Sequence, residues 1–168
     1  MARKEFRPKP ILETLIAHDV DFVLIGGLAG MAHGSSYPSY DVDVAYSRHR
    51  ENLERLATAL TELGATLRGA PPDIPFLLDA KTIENGANFT FDTPYGALDI
   101  LSDPDGAPPY DRLVAGAGEP VEFEGVPIRV TSLDHLIAMK EAAGRPHDRQ
   151  MATEYRAISD ELRAPRGD

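Results

Sequence analysis

Apolar positions along the chain follow two periods, and the change from one to the other predicts the elements. Over residues 10–18, Leu12, Leu15 and Ile16 fall on one helical face, and Pro10 suits a first helical position. Residues 21–25 (Asp-Phe-Val-Leu-Ile) are a short β-leaning apolar run, the expectation for a buried strand. The run enters Gly26-Gly27 and a helix-compatible piece over 28–33, then a loop rich in Ser, Tyr and Pro over 34–40. Strict alternation over 41–46 predicts a strand. Leu53, Leu56, Leu60 and Leu63 recur at 3-4-3 spacing, which predicts a helix capped by Ser47 and stopped by Gly64.

The second half is shorter in its rhythm. Residues 69–75 hold three prolines and read as a loop. Residues 88–91 and 97–101 read as strands of a hairpin turning over 92–96, with a loop over 102–109. A second hairpin pairs 121–123 with 126–130 through Glu124-Gly125, and Pro127 places its last strand at an edge. Ser132 or Thr131 caps a helix that ends near Ala143 at Gly144. Pro146 opens the last helix, with Tyr155, Ile158 and Leu162 as its apolar stripe. The sum is a mixed α/β (α+β) chain with its β content in the middle.

Composition narrows this picture. The 168 residues suit one domain over 10–163, between a basic arm over 1–9 and a disordered tail over 164–168. The arm carries Arg3, Lys4, Arg7 and Lys9 against Glu5, with no apolar stretch behind it, so it does not read as a signal peptide. The longest apolar run, 22–32, falls short of the roughly 20 residues that span a bilayer. No membrane role and a cytoplasmic setting are expected. The absence of Cys excludes a disulfide scaffold, a Cys-ligated zinc and a thiol nucleophile. Seventeen Lys+Arg against 27 Asp+Glu leave a formal charge of −10, which repels phosphate backbones and opposes general nucleic-acid binding.

Some of those carboxylates are placed where a structural role explains them poorly. Asp41 and Asp43 share one strand face, about 7 Å apart, with Val42 and Val44 opposite. They are either a solvated strand face or a cation site. Asp99 sits inside Ala97-Leu98-Asp99-Ile100-Leu101, where an unpaired buried carboxylate is costly. A core salt bridge or a ligand role would each explain it. Three Asp on two central strands point to a divalent cation such as Mg²⁺ or Mn²⁺, and with it to phosphate substrates. Gly26-Gly27 at a strand-to-helix junction is either a plain turn or a place where an anion meets backbone N–H groups. Lys140 falls on the inward stripe with Leu133, Leu136 and Ile137, where it either snorkels or aims a cation at phosphate.

Together these residues resemble the polymerase-beta-like nucleotidyltransferase superfamily. The matching pattern is Leu24-Ile25-Gly26-Gly27, thirteen residues, Asp41-Val42-Asp43-Val44, and then Leu98-Asp99-Ile100-Leu101. Gly26-Gly27-Leu28-Ala29, His33-Gly34 and the run from Lys140 through Gly144-Arg145-Pro146 to Asp148 look most like the small abortive-infection-toxin-like (AbiEii-type) enzymes. The resemblance implies a central mixed β-sheet flanked by helices. It also implies metal-dependent transfer of a nucleoside monophosphate from an NTP such as ATP to an acceptor hydroxyl on tRNA, a protein or a small molecule. Asp41, Asp43 and Asp99 would be the catalytic metal ligands. Gly26, Gly27, Ser39, Lys140, Arg145 and Asp148 would bind or orient the nucleotide, and His33 would be structural. A toxin–antitoxin setting, with a basic antitoxin as partner, is implied as well. A γ-phosphate-transferring kinase on this fold and a nucleotide-binding module without turnover are the alternatives. Two positions depart from the pattern: Tyr37 stands where the family loop carries Arg, and Met151 where a second acid is common. Arg48 and Arg50 are the candidates to compensate for the first.

Overall fold

The computed structural model describes residues 5–71, 73 and 76–165. The first four residues of the expected arm, three residues of the 69–75 loop and the last three of the expected tail lie outside the described residues. In chain order the elements are α1 (Pro8–Ala17), β1 (Phe22–Ile25), α2 (Gly26–Ala32), β2 (Asp41–Tyr46), α3 (Arg50–Glu62), β3 (Thr66–Leu67) and α4 (Ala80–Asn85). They continue as β4 (Asn88–Thr93), β5 (Gly96–Leu101), α5 (Tyr110–Ala117), β6 (Val121–Phe123), β7 (Val126–Ile128), α6 (Leu133–Ala143) and α7 (Pro146–Arg163).

All four residues of β1 are apolar and buried, as a strand covered on both faces requires. It pairs antiparallel with β2, and β2 pairs parallel with β5. Beyond β5 come β4 and β3, both antiparallel, which gives a five-stranded mixed sheet in the order β1-β2-β5-β4-β3. A parallel pair needs a long crossover, and the chain from α3 through β4 supplies it. The outer edge of β1 is closed by the segment after β7. Leu24 N–H donates to the Arg129 carbonyl at 2.9 Å, and Thr131 N–H donates to the Leu24 carbonyl at 3.0 Å. Pairing of this kind removes an exposed strand edge.

Alternation along β2 separates two faces. Val42, Val44 and Tyr46, with Leu98, Ile100 and Phe91, form the main core together with Leu12 and Leu15 of α1 and Leu53, Leu56 and Leu60 of α3. On the opposite face Val23, Ile25 and Ala45 lie under Leu113 of α5. The carboxylates of β2 and β5 stand on this second face, beside that small cluster.

Several boundaries differ from expectation. α1 begins at Pro8, two residues early. Phe6 packs against the core, and Arg7 N–H donates to the Tyr95 carbonyl at 2.8 Å, so this part of the arm is tied to the β4–β5 turn. Ser47 does not cap α3. The helix starts behind His49, and the Ser47 hydroxyl accepts from His49 N–H at 3.3 Å, while buried Asn52 secures the turn through the Ser47 and Asp21 backbone. Leu162 is exposed, because α7 outruns the core it packs against; its buried side ends at Tyr155 and Ser159. β3, α4 and α5 were not expected. Gly64 and Gly144 end their helices as predicted, with φ of +67° and +68°.

Candidate active site

β2 and β5 run parallel and in register, so Asp43 stands beside Asp99, with Asp41 two residues along the same face. One oxygen from each carboxylate lies within 4.8 Å of the others. Crowding has an electrostatic consequence. Burial, then the charges of Asp41 and Asp99, push the Asp43 carboxyl up to about 8, while Lys140 pulls it back. An all-carboxylate set that converges this closely and resists full ionisation fits a hard divalent cation, Mg²⁺ or Mn²⁺.

The β1–α2 junction flanks this cluster. Gly26 has φ of +72°, and a Cβ there would overlap the Asp43 carboxylate, so only glycine lets the backbone lie against it. A Cβ on Gly27 would come 3.1 Å from the Ser39 hydroxyl. Ser39 in turn donates to the Asp41 carbonyl or carboxylate, each at 3.3 Å. Gly26, Gly27, Ser39 and the three Asp are therefore brought together.

Lys140 approaches from α6, its side chain only 19% exposed, and reaches Asp148 Oδ1 at 3.4 Å. Asp148, buried at the start of α7, also accepts from Arg145 Nε at 2.7 Å and Arg145 N–H at 3.3 Å. The Arg145 hydrogen bond, with help from Lys140, holds its carboxyl below the usual range despite burial. The sequence places Lys140 on an inward stripe, and the structure adds its anion. Arg145 extends outward, 77% exposed, at the rim.

Four further contacts shape the site. Glu154 of α7 accepts from the Ser35 and Ser36 hydroxyls and from Ser36 N–H at 3.1 Å. Tyr37 packs edge-on against His147 with ring centres 5.5 Å apart, so it fastens the loop that carries Ser39. His33 Nε2 lies 2.7 Å from the Thr131 carbonyl. Arg68 Nη2 donates to Asp99 Oδ1 at 2.9 Å, the one ion pair made by any of the three carboxylates among the described residues.

Arg48 and Arg50 do not replace the missing loop Arg. They follow the far end of β2, where Arg48 donates to the Ile83, Glu84 and Gly86 carbonyls and Arg50 pairs with Glu54 and Glu84. Sequence reasoning missed Glu154 and Arg68. The one available signal for Arg68 was its isolation, since it is the single Lys or Arg between Arg55 and Lys81. A 720 Å³ groove between α3 and α4, lined in part by His18, Glu54 and Lys81, contains none of the site residues.

Solved structures of nucleotidyltransferases share this fold. The lincosamide antibiotic adenylyltransferase LnuA, bound to lincomycin, is 15% identical with a TM-score of 0.61, over 92% of this chain and 99% of its own. The antibiotic-resistance factor ANT(2'')-Ia is 19% identical with a TM-score of 0.55, over 92% of this chain and 81% of its own. TM1012 of Thermotoga maritima, assigned as a nucleotidyltransferase, is 17% identical with a TM-score of 0.55, over 92% and 97%. No protein-family model and no curated sequence matches the chain. Among the described residues no helix is long and apolar enough to cross a membrane.

Proposed function

We propose that this chain is a metal-dependent nucleotidyltransferase, moving a nucleoside monophosphate from an NTP to an acceptor hydroxyl and releasing pyrophosphate. The convergence of Asp41, Asp43 and Asp99 on adjoining, in-register strands carries this reading. A divalent cation, when bound, would offset the negative charge that develops during transfer. Asp41 and Asp43 would hold it, and Asp99 would complete a second position. The acceptor oxygen bonds to the α-phosphorus, the bond to the pyrophosphate oxygen breaks, and the hydroxyl proton passes to Asp99. Gly26 and Gly27 let backbone approach the phosphates, with Ser39 beside them. Lys140 contacts the triphosphate, held in place together with Arg145 by Asp148.

A small-molecule hydroxyl is the acceptor we favour. ANT(2'')-Ia has been seen with adenylyl-2''-tobramycin and LnuA with lincomycin, and a net charge of −10 opposes polymeric RNA. A toxin role is supported only by the Gly26-Gly27-Leu28-Ala29, His33-Gly34 and Lys140-to-Asp148 motifs, and a basic antitoxin partner only by the acidic charge. The test is incubation with Mg²⁺, either α- or γ-labelled NTP, and pools of small hydroxylated compounds, RNA or protein. Label transferred from the α position alone is the expected result. Label from the γ position alone means a kinase, and nucleotide binding with no transfer means a module without turnover.

A further inference from the structure

Arg68 lies just after β3, the outermost strand of the sheet, yet its side chain reaches the middle of it. Its N–H donates to the Thr90 carbonyl at 2.9 Å, extending the β3–β4 ladder by one residue. From there the guanidinium spans β4. Nε donates to Asp92 Oδ1 at 3.2 Å, and Nη2 donates both to the Phe91 carbonyl at 2.9 Å and to Asp99 Oδ1 at 2.9 Å. Thr90 pairs with Asp99 across β4 and β5, and Asp92 lies one alternation further on the same face. The guanidinium is therefore fixed by two anchors on β4 and turned toward one carboxylate on β5.

That carboxylate is divided in its use. Oδ1 accepts from Arg68, and the same group lies within hydrogen-bonding reach of the Asp43 carboxyl. An oxygen of Asp99 also lies within 4.8 Å of the Asp41 and Asp43 ligand atoms. A planar guanidinium held by two anchors on β4 fixes where that oxygen can sit. An ammonium could supply the charge but not this fixed geometry.

We propose that Arg68 is a positioning residue for the cation site, fixing the rotamer of Asp99 so that its carboxylate faces Asp41 and Asp43. This rests on the reading of the three Asp as a cation site. Arg68 is not a ligand and touches no reacting atom. Partners that orient ligating carboxylates typically change metal affinity by about 10–100-fold when lost, and that is the size of effect expected here.

The test is Mn²⁺ affinity of the full chain, read by electron paramagnetic resonance of free ion with no nucleotide present, with folding checked by circular dichroism. Arg68→Gln should bind Mn²⁺ about 10–100-fold more weakly than wild type. Arg68→Lys, with charge but no fork, should lose part of that affinity, and it carries the test alone if the Gln variant does not fold. In an Asp99→Asn background Arg68→Gln should change Mn²⁺ binding no further, because a residue that acts through Asp99 has nothing left to act on. Unchanged or tighter binding in Arg68→Gln would overturn the proposal, tighter binding meaning that the guanidinium competes with the cation. Full retention by Arg68→Lys would also overturn it, since charge alone would then suffice. A wild-type chain that binds no Mn²⁺ would overturn the cation site itself and this inference with it.

Discussion

Asp43 is the residue at which the chemistry and the stability of the site meet. Its carboxyl is pushed up from 3.8 to about 8, chiefly by burial and then by Asp41 and Asp99. The folded protein thus holds this proton more tightly than the unfolded chain. The group's contribution to stability is present below about pH 4 and is lost as pH rises through about 8. Without a divalent cation, the wild-type melting temperature should fall more steeply between about pH 5 and 9 than that of Asp43→Asn. Mg²⁺ should raise it more at the upper end of that range. Parallel melting curves for the two proteins would contradict this account of Asp43.

Asp99→Asn should abolish transfer while leaving the melting temperature near wild type, since Asp99 is only partly buried and its strand is held by Leu98 and Ile100. Unchanged turnover would remove Asp99 from the mechanism. Lys140→Ala should raise the KM for NTP with a smaller change in kcat, the pattern of lost ground-state binding. A normal KM would leave Lys140 as no more than the partner of Asp148.

At the scale of elements, α2 depends on close approach. A Cβ on Gly30 would overlap the hydroxyl of Tyr155, which is fully buried on α7. Gly30→Ala should therefore cost about 1–3 kcal/mol through overpacking, visible as a melting temperature lower by at least about 2 °C. No change would mean that α2 and α7 can separate freely.

Elements with enough residues to show a period were legible in sequence. β2 stands at its expected bounds because Asp-Val-Asp-Val alternates, and α3 is legible as a helix, though not its start, because four leucines keep helical spacing. β3 has two residues and α4 six, too few for any period to rise above chance. α5 shows a single buried residue, Leu113, along its length. The site divides in the same way. The three Asp are legible as a candidate set because Asp41 and Asp43 share one face of an alternating strand and Asp99 interrupts an apolar one. Arg68 and Glu154 are not, because their partners are 31 and about 120 residues away in the chain and only the fold brings them together.

For the whole molecule, the proposed function divides the net charge of −10 between a cation-seeking group and a surface. Asp41, Asp43 and Asp99 belong to the first, and the remaining acids set the long-range field. That field should keep long RNA from binding at physiological salt in a gel-shift titration. Tight binding with a steep salt dependence would instead mean a local basic surface able to overcome it.

The central claim is that β2 and β5 together present one cation-dependent phosphate site. Diffraction from crystals grown with Mn²⁺ and a non-hydrolysable NTP tests it most directly, through the anomalous signal of the metal. The expected result is an anomalous peak beside the Asp41, Asp43 and Asp99 carboxylates, with the triphosphate between the Gly26-Gly27 turn and Lys140. A nucleotide bound elsewhere, or Mn²⁺ absent from these carboxylates at saturating concentration, would contradict it.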